Sequence, residues 1–374
     1  MMKKLIVYSL VLFLGPLQAL WASGFPTDDT KLTKTITRSF KIPGDGHISI
    51  INKYGPVVIN TWKKDSVYVK IEVTAYGKND KSVNKIMDRV DFDFDQNTKY
   101  LLIATVLDRS SGFFTEVWNN LGDYSKTLLS QNQLKIEYTI WLPSTLSLEV
   151  SNKFGDVYFE DYIGDLDIEL SHGNFRAGNL KGRLDLDLSF GNSDLKSVGQ
   201  AELILKATES DFDQIAKATI HSSSSEITIE KIGSLRLDSR SDRRILIKNA
   251  GTISGASRFS KVQIDSFEED LKLELNYGSL RINNLKPGFS RIDLQGKTTE
   301  INLNFSEGNY LDFEYTGNEN KLFITSGDNM LKKEYIDSKE KIVRINGMLG
   351  LKNTATPGKV ILHTESGEVN VKID

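Results

Sequence analysis

Cysteine is absent from the 374 residues. That excludes disulfides, thiolate metal sites, cysteine nucleophiles and the acylated cysteine of a bacterial lipoprotein. Proline is scarce, at 7 residues against 28 glycines. Turns therefore fall to glycine, and the shortage of proline suits long hydrogen-bonded ladders. No excess of one charge is present either. The net charge of −3 leaves no electrostatic footprint for nucleic acid.

Long apolar runs are also missing, apart from one at the start. Leu5 to Leu14 is apolar and is broken by Gly15-Pro16, well short of the ~20 residues that span a bilayer. Lys3 and Lys4 precede it and Leu20-Trp21-Ala22 follows, the layout of a secretory signal peptide with cleavage expected after Ala22. An uncleaved anchor helix is the alternative. Residues 1–22 are accordingly set apart from the fold, and no transmembrane segment is expected in the mature chain. The expected location is the periplasm, the outer envelope or the cell surface.

What is present is a repeat. Leu166-Asp167-Ile168-Glu169-Leu170 alternates strictly, and similar runs begin at Leu184, Ala201, Ala218, Leu235, Ile253, Leu271 and Ser290. The interval stays near seventeen to nineteen residues, the scale of a short solenoid coil. About nine residues after each start a second apolar pair appears, then one more apolar residue. Examples are Phe175/Ala177/Leu180, Ile227/Ile229/Ile232 and Ile301/Leu303/Phe305. The unit at Ala201 is the weakest, with only Phe212 and Ile215. One coil cannot bury such a face alone; stacked coils at ~4.8 Å can.

Glycine marks one corner, seven residues after the unit start. Gly55, Gly155, Gly173, Gly191, Gly278 and Gly367 occupy it, and Thr208, Ser225, Asp242 and Ser260 stand there in the middle units. The expectation is that glycine supplies positive φ at a turn, a structural rather than a ligand-binding role.

The fold class expected is therefore mostly β: a single-stranded β-solenoid of ~17–20-residue coils. Residues 23–142 form an N-terminal strand-rich region, and residues 143–374 the repeat domain packed continuously with it. Within the first part, antiparallel strands are expected around 67–73, 100–106 and 134–142. They flank a short helix that places Val83, Ile86, Met87 and Val90 on one face. An aromatic insertion at 107–133 carries Phe113, Phe114 and Trp118. It reads either as a cap on the open solenoid end or as a partner- or membrane-contacting segment. Residues 326–357 read as a polar, irregular stretch, a loop or excursion before the final strand.

The segments Asn52-Lys53-Tyr54-Gly55-Pro56-Val57-Val58-Ile59 and Asn152-Lys153-Phe154-Gly155-Asp156-Val157 share one form. Asn276-Tyr277-Gly278-Ser279-Leu280 and Glu365-Ser366-Gly367-Glu368-Val369 follow it. On these residues the chain resembles the bacterial "putative adhesin" domains of unknown function, secreted β-solenoids built on N-x-x-G-D-V-x-I repeats. The resemblance implies a right-handed β-helix in the cell envelope, and it brings no catalytic residues.

Candidate chemistry is thin. His47, His172, His221 and His363 show no metal-ligand spacing, so neither a metal nor a cofactor is expected. Carboxylates at Asp165, Asp167, Glu169, Asp185, Asp187, Glu202, Asp211 and Asp213 would align as a ladder facing water or recruiting a cation. A basic stretch holds Arg236, Arg240, Arg243, Arg244, Lys248, Arg258 and Lys261. It reads as cross-coil salt bridging or, at Arg240, Arg243 and Arg244, as a patch for anionic glycan or lipid headgroups. Neither a G-x-S-x-G elbow nor a phosphate loop occurs. The function expected is a non-catalytic envelope module for binding, adhesion or scaffolding, with an envelope protein or a glycan as partner. The rivals are a carbohydrate-active β-helix enzyme and an envelope-stress regulator acting through protein partners.

Overall fold

Alternating residues of the repeat put one apolar side chain in two toward a common interior, and strands pair so that those positions coincide. The computed structural model describes residues 30–107, 133–326, 329–352 and 356–374. Strands dominate the described residues, joined in one extended hydrogen-bonded assembly, with one α-helix at Asp80–Met87.

From Ser147 to Phe305 the pairing is parallel, and each coil lies on the next. Leu166 pairs with Leu184, Leu184 with Ala201, Ala201 with Ala218, and Ala218 with Leu235. Ile253 and Leu271 continue the row. The second half-coils match in the same way: Leu180, Val198, Ile215, Ile232, Ala250 and Phe267 pair in succession. All these side chains belong to one contiguous buried cluster running from Ile42 to Val371.

Three expectations need correcting. Leu271 pairs with Ile292 rather than with Ser290, because the turn through Pro287 and Gly288 lengthens that coil. Residues 100–107 are antiparallel to Val90–Gln96 but parallel to His47–Ile51, so they extend the stack. Leu134–Pro143 likewise runs parallel to Val57–Trp62 and antiparallel to Val67–Gly77. Finally, 326–357 is not a featureless loop. Asn329–Asp337 and Ile342–Leu349 form an antiparallel hairpin laid on Leu311–Asn318. Its outer strand is exposed almost throughout, so no alternation marked it in the sequence.

Coil order departs from chain order at both ends. The coil His47–Trp62 lies between the strands at 100–107 and 134–143 on one side and those at 147–159 on the other. The last segment, Gly358–Ile373, slots between Arg291–Phe305 and Leu311–Thr325.

The expected helix is present, but it ends at Met87, and Val90 begins the following strand, Val90–Gln96, instead of completing the helix face. Asn79 caps the helix, its side chain accepting from the Ser82 N–H while Ser82 Oγ accepts from the Asn79 N–H. Val83 and Ile86 are buried, and Met87 and Val90 pack against the core in part. The first 29 residues, with the signal segment, lie outside the described residues; so do 108–132, with Phe113, Phe114 and Trp118.

Candidate functional site

The glycine column exists, for a different reason than expected. A Cβ added to Gly155 would sit 2.0 Å from the Gly55 carbonyl oxygen, one on Gly173 2.1 Å from Gly155 O, and one on Gly191 1.8 Å from Gly173 O. Close approach of stacked backbones excludes the side chain. Positive φ belongs instead to the residue before: Tyr54, Phe154, His172, Phe190, Ala207, Ser224, Ser241, Phe259, Tyr277 and Thr298 all lie between +51° and +70°. Only Gly367, at φ +104°, combines both features among the six corner glycines.

Two polar devices support this corner. In the first coils Asn152 Nδ2 donates to Gly155 O at 2.8 Å and to Gly55 O at 3.1 Å, while Asn52 Nδ2 donates to Gly55 O at 3.0 Å. In the middle coils the corner side chain itself takes over. The Thr208 N–H donates to Ser225 Oγ (3.2 Å), that of Ser225 to Asp242 Oδ1 (2.8 Å), and that of Asp242 to Ser260 Oγ (3.0 Å). Ser222 Oγ donates to Asp242 Oδ2 at 2.6 Å. Burial raises the Asp242 carboxyl above its ordinary range, and these hydrogen bonds oppose the rise.

The left-handed conformation turns the preceding side chain outward, and successive coils stack those side chains on one another. Tyr54, Phe154, His172 and Phe190 form a column of near-parallel rings with centroids 4.9–5.7 Å apart. Ala207, Ser224 and Ser241 interrupt it. Phe259 and Tyr277 then resume it at 5.0 Å. Rings at the interruption are open to solvent: Phe190 is 58% exposed and Phe259 59%. Lys53 and Lys153 lie over the Tyr54 and Phe154 rings at 4.8 and 5.4 Å. Burial first, and then the neighbouring Lys153, pulls the Lys53 ammonium down to about 8.

Two residues past the second ring pair along each coil begins a cavity of about 600 Å³ that the rings themselves do not line, framed by Arg243, Arg244, Lys261, Arg281 and the carboxylates Glu226 and Glu300. Arg243 and Arg244 each reach Glu226 at 2.7 Å. Arg240 is not with them. It sits across the Ser241-Asp242 corner, in register with Arg258, which pairs with Asp238 at 2.9 Å. Lys248 pairs with Glu230 at 2.6 Å. Much of the basic stretch is thus cross-coil pairing, and the surplus gathers at the cavity. A second cavity, of about 610 Å³, lies at the other end of the column, lined by Tyr54, Phe154, Tyr76, Tyr158 and Asp156. There the Tyr158 hydroxyl donates to Asp156.

The carboxylates do align. Glu149, Asp167, Asp185 and Glu202 occupy successive positions of one row, with Glu169 and Asp187 two residues on. Arg183 and Lys206 pair with Asp185 and Asp187 at 2.8 and 3.1 Å. Burial, then the like charges of Glu149 and Asp185, raises the Asp167 carboxyl; burial, then Asp187, raises that of Glu169. Among the described residues no His, Asp or Glu group is arranged to hold a metal ion. His172 is a rung of the ring column, His47 stacks on Tyr100 at 5.6 Å, and His221 lies 3.9 Å from Asp238.

Sequence reasoning missed Phe190, Phe259, Tyr277 and Arg281. The signal for the rings was available: an aromatic residue directly before the corner position in Tyr54, Phe154, Phe190, Phe259 and Tyr277.

No family model and no curated relative matches the chain. Solved structures are similar at low identity. One is a "putative adhesin" from Bacteroides fragilis, 17% identical over 70% of this chain and 97% of that one, with a TM-score of 0.35. Another is a "putative lipid binding protein" from Parabacteroides distasonis, 12% identical over 72% of this chain and 96% of that one, at 0.34. A third, a "putative cell adhesion protein" from Clostridium sporogenes, is 8% identical over 92% and 100%, at 0.19. At such TM-scores the likenesses carry no argument about function, which rests on the residues of this chain.

Proposed function

We propose that the chain is an exported, non-catalytic binding module of the cell envelope, wound as a right-handed β-solenoid and released from its signal segment after Ala22. One observation carries the binding reading. The outward-turned corner presents bare ring faces at Phe190 and Phe259, and a cavity with surplus positive charge lies beside Phe259. An exposed aromatic face close to cations without an ion-pair partner suits recognition of a ligand that carries both an apolar face and an anion.

The rival enzyme would rely on the raised carboxyls of Asp167 and Glu169. These stand on a ladder row, and neither cavity at the corner includes them. The test is incubation of the purified protein with a panel of polysaccharides, read both for retention on immobilised glycan and for new reducing ends. Retention without turnover is expected. Robust turnover of any polysaccharide would overturn the non-catalytic reading, and its loss in Asp167→Asn or Glu169→Gln would assign it to the carboxylate ladder.

A further inference from the structure

The second ring pair ends abruptly. Tyr277 covers one face of Phe259, at 5.0 Å and 5°. The next coil puts Ser241 at the position where a third ring would lie. A hydroxymethyl group cannot cover a benzene ring, so one face of Phe259 stays bare. Neighbouring coils stand ~4.8 Å apart. The column from Phe259 through Ser241, Ser224 and Ala207 to Phe190 is therefore a notch about 19 Å long with a ring at each end.

Charge accumulates at the Phe259 end of the notch, on the coils to both sides of that ring. Arg243 follows Ser241 by two residues, on the coil that the bare face overlooks. Arg244 and Lys261 are successive members of one ladder row, with Arg281 in an adjoining row. Like charges on neighbouring strands destabilise a ladder. Glu226 neutralises part of this by binding both Arg243 and Arg244. Glu300 is engaged by Asn302 at 2.7 Å. Among the described residues no ion pair reaches Lys261 or Arg281. Four cations thus frame the cavity against two carboxylates.

We infer that this corner binds an acidic oligosaccharide: one pyranose ring lies flat on Phe259 above Ser241, and a carboxylate or sulfate elsewhere on the saccharide chain, where it crosses the cavity, is held by Lys261 and Arg281. The inference rests on the binding-module reading and adds the ligand class. The two requirements are distinct. A flat, C–H-rich sugar face matches a bare aromatic face, and an oxyanion matches the excess of guanidinium and ammonium donors. A neutral sugar meets only the first, and an inorganic anion only the second.

The experiment is calorimetric titration of the purified protein with galacturonate oligosaccharides, sulfated dextran oligosaccharides, neutral dextran oligosaccharides and anionic phospholipid vesicles. Binding of at least one acidic oligosaccharide is expected, with neutral dextran at least about tenfold weaker and the affinity falling as salt rises. The tighter of the two acids identifies the oxyanion. Ser241→Phe should extend the ring column at a position whose backbone already suits phenylalanine, as at Phe190 and Phe259. It should weaken binding about tenfold or more while leaving the fold intact by circular dichroism. Lys261→Gln combined with Arg281→Gln should do the same. Equal affinity for neutral dextran, indifference to both variants, or binding confined to vesicles would overturn the inference and leave a binding module with another ligand. Cleavage of the titrated saccharide would instead overturn the module reading itself.

Discussion

At the residue scale, two neighbours at one corner obey different rules. Gly173 is glycine because a backbone carbonyl of the coil below fills the space of a Cβ, whereas His172 takes positive φ and points outward. The corner itself imposes the left-handed conformation, since Ala207, Ser224 and Ser241 adopt it without a ring; at His172 stacking on both sides, with Phe154 at 5.0 Å and Phe190 at 4.9 Å, offsets part of the strain. The same crowding perturbs Lys53, which stacks in register with Lys153. Its folded value of about 8 lies below the ordinary 10.5. Between those values the unfolded chain keeps a proton that the folded chain has released, so stability rises with pH across that window. Below it both states are charged and the penalty is fully present. Lys53→Met should therefore be more stable than the parent near neutral pH, and the gain should shrink as pH approaches 10.5. Urea midpoints of both proteins at the two pH values measure this. A gain that is constant with pH would show that Lys53 is not depressed.

At the scale of the element, a coil is held by which residue occupies its corner. The first two glycine coils use Asn52 and Asn152 as internal donors, and middle coils use the corner side chain as acceptor for the N–H of the coil below. Gly173→Ala introduces a Cβ 2.1 Å from Gly155 O with no hydrogen bond in return, and should cost about 2 kcal/mol or more, read as a lower urea midpoint. An unchanged midpoint would mean that the backbones are not packed so closely. This is also where the sequence could be read and where it could not. Alternation and interval exposed the coils because burial on one face imposes them. The weak unit at Ala201 proves regular: Ser210 occupies its missing apolar place, buried and accepting from Ser193 Oγ of the preceding coil at 2.8 Å. The hairpin at 329–349 was invisible because its outer strand is exposed on both faces. A second glycine column also went unread. Cβ atoms on Gly182 and Gly251 would meet Gly164 O and Gly233 O, both at 2.3 Å. Gly182, Gly233 and Gly251 sit within long strands, at the bend between the two half-coils where the alternation breaks.

At the scale of the whole molecule, stability should be close to a sum over coils and their interfaces. Chain order predicts most of that stack because each coil needs a neighbour, and the next segment in sequence is the nearest one. It fails at the ends, where Gly358–Ile373 enters beneath Leu311–Thr325. Nothing in a periodic pattern states which copy lies outermost. The candidate site has the same character: its cations other than Arg281 were legible as a basic stretch. Their assembly beside Phe259 depends on register, which only the stacked coils define.

The absence of cysteine makes that register directly measurable, since any disulfide must come from introduced residues. Thr219 pairs with Arg236 on the coil above, and Arg236 with Ser254 on the next. Adjacent coils bring Cα atoms to ~4.8 Å, within reach of a disulfide, while two coils place them ~9.6 Å apart, beyond it. The coil stack predicts that Thr219→Cys/Arg236→Cys cross-links under mild oxidation, and that Thr219→Cys/Ser254→Cys does not, as read by mass spectrometry of proteolytic fragments. Cross-linking of the second pair in preference to the first would contradict it.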